Sequence, residues 1–399
     1  MKKLRVGILG LRRGRSHLSN FMRVEEAEVI GAADRVEHLR EAASEIAPGV
    51  PMVEEFEELL AMEPDAIAVS TNGRIHARHS IQALEAGCHV LCEVPGAFSV
   101  EECHQLVATV QLTGKQYMLA ENSSFLDFLR YWRKWVIEKS LGEISLAEGE
   151  YLHYLPATLT DGENNRFMPT EALEAGRLDL TPIWRADQPP IQYLTHDLGP
   201  LLEVLDDHVT SVVCKEGPWW QTEAPLRSDG QIGLFQTAAG RLIKITVTLN
   251  TARPSSHNYR LHGTMGGAEW YRHEGFCRVA DRNRDHKDGW ECSPIGTAAP
   301  DDDPTVGHGG TDIKTAYYFT KAILEKRPVP IDVYRMCDYT LPGILAARSA
   351  ELGGQPITVP SIRPGSRGTT EFWNHVPVPE TEPGRWEYRP PAPPGESAG

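Results

Sequence analysis

Tyr193 and His196 stand three residues apart, which places them on one face if the segment is helical. Both side chains donate and accept protons, with ordinary pKa values of about 10 and about 6.5. That suits removal of a proton from a hydroxyl or from an acidified carbon. Tyr151 and His153 alternate along an expected strand and so face one side. Glu93 ends another expected strand, where a carboxylate can hold a ligand hydroxyl. Trp184 and Arg185 pair a ring that can stack with a guanidinium that can clamp, and His308 lies in a glycine-flanked loop. Each has a plainer alternative. His196 can be a buried, hydrogen-bonded imidazole, and Tyr151 with His153 a half-buried sheet face. Glu93 can be a carboxylate paired with a lysine, Trp184–Arg185 a surface pair, and His308 part of a flexible turn.

The elements that would position these groups begin with Val6-Gly7-Ile8-Leu9-Gly10-Leu11-Arg12-Arg13-Gly14. An apolar run over residues 4–9 fits a buried parallel strand, and Ser16-His17-Leu18 opens a helical pattern. A strand–glycine turn–helix unit aims backbone N–H groups at one point, which suits a pyrophosphate. The full fingerprint is G-x-G-x-x-G; here Arg12 occupies the place of the second glycine. The alternative is that Gly10 and Gly14 simply turn the chain. Ala27-Glu28-Val29-Ile30-Gly31-Ala32-Ala33-Asp34 reads as the second strand. Its Asp34 lies roughly 20 residues past the turn, where a carboxylate accepts from the ribose 2′-OH of NAD. A 2′-phosphate would be repelled there, so NAD is expected rather than NADP; Arg35 weakens that preference without reversing it. Further strands end in Ser70-Thr71-Asn72, in Glu93-Val94, and in Asn122. Parallel sheets bind ligands outside the carboxyl ends of their strands. The expected cofactor contacts are Gly10, Leu11, Arg12, Arg13, Asp34, Arg35, Ser70, Thr71, Asn72, His76, Glu93, Val94 and Asn122.

Composition narrows the classes. The 399 residues suggest two domains, and 41% hydrophobic with 24% charged residues is ordinary for a soluble protein with a sizeable core. A net charge of −15 argues against a phosphate-tracking nucleic-acid surface. No apolar run approaches a membrane span, and no signal peptide is read. The expected location is cytoplasmic. The seven cysteines follow no framework spacing. Cys88 and Cys92 read as small buried side chains rather than a metal or redox pair, and no metal site is expected.

The expected fold class is α/β. An N-terminal Rossmann-type, doubly wound parallel sheet covers residues 1–122 and a C-terminal α+β domain with a large, mostly antiparallel sheet covers 123–360. Within the first, residues 75–86 read as a helix, and Ser99-Val100-Glu101-Glu102 as a capping box. Within the second, residues 125–139 read as an aromatic-rich helix, and 144–155, 211–214, 231–235, 242–248 and 259–263 as strands. Residues 312–326 and 333–352 read as helices, and 361–399 as a Pro- and Gly-rich tail.

Together these segments resemble the glucose–fructose oxidoreductase/inositol dehydrogenase superfamily. The resemblance rests on Val6-Gly7-Ile8-Leu9-Gly10, Thr71-Asn72 with His76, Ala86-Gly87 with His89-Val90-Leu91, and Glu93-Val94-Pro95. Dehydrogenases of that superfamily usually carry Glu-Lys-Pro where this chain has Val94, and an Asp where it has Gln192, four residues before His196. Both departures are shared by glycoside hydrolase family 109, which the chain resembles more closely. That likeness covers Glu121-Asn122, Gly149-Glu150-Tyr151 with His153, Trp184-Arg185, Tyr193 with Thr195-His196, Leu198-Gly199-Pro200, Arg253-Pro254, and Gly307-His308-Gly309-Gly310 with Asp312. Asp197 stands where that branch usually has glycine.

The resemblance implies NAD as cofactor, a glycoside or sugar as substrate, and a homo-oligomer, dimer or tetramer, formed through the open sheet. The implied chemistry is transient oxidation at C-3, loss of the C-2 proton, elimination of the aglycone, water addition and re-reduction. His196 would take the C-3 hydroxyl proton, with Tyr193 or Tyr151 as the C-2 base. Glu93, His153, Arg185, Trp184 and His308 would contact the sugar. A net NAD-dependent sugar or cyclitol dehydrogenase is the first alternative, and a non-catalytic nicotinamide-binding sensor or partner protein the second.

Overall fold

The computed structural model describes residues 2–220, 227–271, 277–281, 291–293 and 311–363. His308 and residues 364–399 of the tail lie outside them. The unbroken apolar run Leu4–Leu9 forms β1, buried on both faces as a central parallel strand requires. After it come α1 (Gly14–Arg23), β2 (Ala27–Ala33), α2 (Glu37–Ile46), β3 (Met52–Val53) and α3 (Phe56–Leu60). Then follow β4 (Ala66–Val69), α4 (His76–Glu85), β5 (His89–Cys92), α5 (Val100–Thr113) and β6 (Tyr117–Leu119). The sheet runs β3-β2-β1-β4-β5-β6 and is parallel throughout. Its order reverses between β1 and β4, so the strand ends at Gly10, Asp34, Ser70, Glu93 and Asn122 surround one crevice.

The second half contains α6 (Asp127–Ile137), β7 (Ile144–Leu152), β8 (Leu159–Thr160), β9 (Arg166–Phe167), α7 (Pro169–Glu174) and β10 (Thr181–Pro182). It continues with α8 (Thr195–Leu205), β11 (Val209–Glu216), β12 (Gly230–Thr237), β13 (Leu242–Thr248), β14 (Ser256–Gly263) and β15 (Gly266–Tyr271). The last elements are β16 (Cys277–Asp281), β17 (Glu291–Ser293), α9 (Thr311–Leu324), α10 (Val333–Glu351) and β18 (Ile357–Thr358). A nine-stranded sheet runs β17-β16-β15-β14-β7-β13-β12-β11-β18. Only the β7–β13 pair is parallel; the others are antiparallel. Burial alternates along β12, with Phe235 inside and Ile232 and Leu234 exposed, because helices cover one face. No helix among the described residues is long and apolar enough to cross a membrane.

Several local expectations are corrected. The reciprocal half of the capping box shifts by one residue: Ser99 accepts from Glu102 N at 3.1 Å, but the Glu102 carboxylate accepts from Phe98 N at 2.6 Å. The helix expected from 125 starts instead at Asp127, after a 3₁₀ turn at Asn122–Phe125 that is capped by Glu121 through Ser123 N at 3.1 Å. The strand expected to reach 155 stops at Leu152, and a small sheet β10-β8-β9 follows. The C-terminal helices also return to the first half. Phe319 of α9 packs edge-on against Phe21 at 6.4 Å, and Leu119 N of β6 donates to Ile331 O at 2.9 Å. Cys88 and Cys92 are buried free thiols, held in the core of the parallel sheet.

Candidate active site and cofactor crevice

The turn after β1 depends on Gly10. Its φ is +86°, and a Cβ there would lie 2.7 Å from Ser70 O. Leu11 N donates to Asp34 Oδ2 at 2.7 Å and Val36 N to Oδ1 at 2.9 Å, so Asp34 is pinned beside the turn. Each oxygen keeps a further acceptor site, as a ribose diol requires. The first turn of α1 has no side-chain cap and no acid, leaving its N–H groups available to an anion. Ser70 Oγ is buried without a partner among the described residues. This donor set fits a dinucleotide.

The neighbouring side chains divide their work. Arg12, in the second-glycine place, reaches away from the turn to donate to Asn164 O at 2.5 Å. Arg13 turns inward, with Nε 2.7 Å from Glu93 Oε1 and Nη2 3.0 Å from Asp312 Oδ2. His17 Nε2 adds a contact to Glu93 at 3.0 Å, and Asn122 donates to Asp312 Oδ1 at 2.6 Å. Burial alone would raise the Glu93 pKa, but Arg13 and His17 outweigh it and hold it well below the usual carboxylate range. Glu93 is therefore a buried anion shared with arginine and histidine, not paired with a lysine. Thr71 Oγ1 meets His79 Nδ1 at 3.0 Å, and Asn72 accepts from Arg74 N at 3.0 Å. The His76 ring meets two backbone carbonyls, Pro95 O at 2.9 Å and Thr71 O at 3.1 Å. Burial opposes its charge, yet Cys92 and the Pro95 carbonyl push its pKa up to about 9. His76 thus braces the loop from within the wall. Arg35 is exposed and pairs with Glu55 at 3.3 Å. All thirteen expected cofactor contacts except the buried Leu11 line one cavity of about 940 Å³.

The other wall comes from β7, α8 and the segment between them. Tyr151 and His153 project from the end of β7 with rings stacked at 4.0 Å, so the alternation places them together. The Tyr151 ring lies 5.4 Å from His196 and 5.2 Å from Tyr193, and those two lie 5.6 Å apart. They meet across a junction rather than on one helix: Tyr193 closes the 3₁₀ turn Pro190–Tyr193, and His196 opens α8. Glu121, fully buried, holds His196 Nδ1 at 2.8 Å, leaving Nε2 for a substrate. Burial lowers the His196 pKa, but Glu121, then Asp197 and Glu93, raise it above the ordinary value. Tyr259 Oη fixes the His196 carbonyl at 2.7 Å. Burial, then Tyr193, pushes the Tyr151 pKa well above 10, so its phenol stays protonated. Asp197, raised well above the usual range by burial, lies 3.3 Å from His257 Nδ1, and His257 Nε2 lies 3.4 Å from His153 Nε2.

Trp184 is packed where Gly73 has no side chain; a Cβ at Gly73 would lie 3.0 Å from the indole. Its ring meets Phe98 at 5.8 Å and Tyr193 at 6.4 Å, and the Arg185 guanidinium lies 5.4 Å from the ring centre. Burial opposes the Arg185 charge, but the nearby Tyr193 and Tyr151 raise its pKa above the ordinary value. With the Arg74–Asp187 pair at 2.8 Å, Trp184 anchors the 153–189 segment to the parallel-sheet half. Val94 lines the cavity and offers no proton chemistry.

Sequence reasoning left four residues out of the site. Glu121 obeys the same strand-end rule that singled out Glu93, so a signal existed. Arg166 lies on a two-residue strand with no pattern to mark it. His257 enters only because β14 pairs with β7, Tyr151 opposite His257. Arg227 is buried behind Arg185, donating to its carbonyl at 2.8 Å.

Residues 4–121 match the family described as oxidoreductase family, NAD-binding Rossmann fold, and residues 204–368 match the glycosyl hydrolase 109 C-terminal domain. Among similar curated proteins is glycosyl hydrolase family 109 protein 1 of Phocaeicola vulgatus, 26% identical over 94% of this chain and 87% of that protein. A glycosyl hydrolase family 109 protein of Porphyromonas gingivalis is 25% identical over 94% and 88%. Among solved structures, a levoglucosan dehydrogenase in complex with NADH and L-sorbose superposes with a TM-score of 0.76 at 20% identity, covering 91% of this chain and 100% of that one. An inositol dehydrogenase homolog from Azotobacter vinelandii, complexed with NADH and myo-inositol, gives 0.70 at 17% identity, covering 90% and 98%. These two likenesses show the shared fold. Residues 4–121 are thus an NAD-binding Rossmann domain of the oxidoreductase family, and residues 204–368 a C-terminal domain of the glycosyl hydrolase 109 type.

Proposed function

We propose that the protein is an NAD-dependent glycoside hydrolase. One observation carries this reading. Two proton-handling groups, His196 held by Glu121 and Tyr193, converge with ring centres 5.6 Å apart. Net oxidation of an alcohol needs one proton acceptor; elimination from the neighbouring carbon needs a second. Gly10, Leu11, the uncapped start of α1 and Asp34 would hold the cofactor. NAD, when bound, supplies reversible oxidation of a C-3 hydroxyl, which acidifies the C-2 proton so that the aglycone can leave from C-1 before water adds and the sugar is reduced again.

In this scheme His196 Nε2 takes the C-3 hydroxyl proton, while Glu121 steadies the imidazolium that results. Tyr193, as a phenolate near the Arg185 charge, removes the C-2 proton. Tyr151 keeps its proton and serves as a hydrogen-bond donor. Glu93, already bonded three ways, is assigned to fixing the loop ahead of Val94 rather than to gripping a sugar hydroxyl. The test is aglycone release from activated glycosides in D₂O with NAD in catalytic amount. Expected are many turnovers per NAD, no net NADH, and deuterium at C-2 of the released sugar. NADH equal to substrate consumed, with no aglycone, would make the protein a net dehydrogenase. Cleavage that retains hydrogen at C-2 would point to two carboxylates acting directly at C-1.

A further inference from the structure

Two arginines of the cavity wall have no carboxylate partner among the described residues. They are Arg166 on β9 and Arg185. Among the described residues Arg227, buried behind Arg185, donates to neutral acceptors: Leu155 O, Arg185 O and Asn250 Oδ1 at 2.8 Å each, and Leu249 O at 3.5 Å. Arg12 approaches the same segment through Asn164 O. Most acids of the cavity are committed elsewhere, Glu54 to Arg40 at 3.8 Å, while Glu57 lies near His79. Asp34 accepts from Leu11 and Val36, Glu55 pairs with Arg35, and Glu93 is neutralised by Arg13 and His17. Glu121, behind the wall, is taken by His196.

Clustering like charges in a partly dry cleft is unfavourable unless a ligand anion relieves it. Burial first, then neighbouring arginines, lower the pKa of Arg166 and Arg227 to about 10, whereas Tyr193 and Tyr151 hold that of Arg185 above its ordinary value. A cofactor pyrophosphate accounts for Arg12, which sits on the phosphate turn. It does not account for Arg166, Arg185 and Arg227, which come from the C-terminal half. We propose that the sugar bears an oxyanion, a carboxylate or a phosphate, clamped by Arg166 and Arg185 over the reacting ring. Bidentate recognition of either group is what a guanidinium does best. This rests on the glycosidase reading for its reaction but not for its charge preference.

The NAD-loaded protein should be titrated calorimetrically with glucose, glucuronate and glucose 6-phosphate, and with the matching galactose series. In at least one series an anionic member should bind about tenfold or more tighter than its neutral parent, with the advantage shrinking at high salt. The carboxylate and phosphate arms tell which oxyanion is used. R166Q should collapse the anionic-to-neutral ratio towards one and R166K should restore part of it, each variant being checked for folding by its melting temperature. Equal binding of neutral and anionic members would overturn the proposal. So would an R166Q that weakens NAD while leaving the ratio intact, since the arginine would then serve the pyrophosphate. Inorganic phosphate binding as tightly as the sugar phosphate would also overturn it. If the anionic preference holds but no aglycone is released, the glycosidase reading fails and the charge assignment stands.

Discussion

Glu121→Gln removes one charge while keeping the shape of the contact to His196. The wild-type bond is 2.8 Å between a fully buried carboxylate and Nδ1. A hydrogen bond to a charged group contributes about 1.5–3 kcal/mol and a neutral one about 0.5–1.5, so the ionic part is on the order of 1–2 kcal/mol. At 1.36 kcal/mol per pKa unit, the His196 pKa should fall by about one unit. The sign follows from the proposed role. His196 must be neutral to accept a proton, and its raised pKa places the acid limb of kcat/KM above the ordinary histidine value. The variant's limb should therefore move to lower pH, and its plateau should drop because a weaker base takes the proton. The same raised pKa stabilises the fold below about 6.5 and ceases to do so as pH rises through the folded-state value, so the variant's melting temperature should depend less on pH in that window. The assay is a pH–rate profile of aglycone release beside NAD affinity at each pH. An acid limb that stays in place, in a folded variant that still binds NAD, would refute the assignment of His196 as the titrating base.

Two predictions concern the cofactor crevice. Asp34→Ala removes the acceptor for Leu11 N and Val36 N as well as for a ribose diol; NAD affinity by calorimetry should fall at least about tenfold, and unchanged affinity would sink the ribose assignment. Arg12→Gly should change NAD affinity by no more than about 1.5–3 kcal/mol, one charged hydrogen bond. Because Arg12 holds Asn164 O at 2.5 Å, limited proteolysis between 156 and 168 should accelerate, and unaltered cleavage there would show that the contact does not tether the segment.

Some of this protein is local and was readable residue by residue. The unbroken apolar run of β1, Gly10 at a backbone position that excludes Cβ, and Asp34 at the end of β2 each report their own surroundings, because burial period and allowed backbone angles act over a few residues. The alternation of Tyr151 and His153 is of the same kind. What surrounds those residues is not local. Glu121 reaches His196 from 75 residues away, Arg13 reaches Asp312 from 299, and His257 joins the cluster only through the register of β14 on β7. The cavity wall at 153–189 has two-residue strands and no strong period, so its docking on Gly73 through Trp184 left no trace in the chain pattern. The sequence by itself determined which groups stand at strand ends and turns. The tertiary structure decided which of them share charges and protons, because electrostatic partners are chosen by distance in space, and sheet pairing and helix docking set that distance.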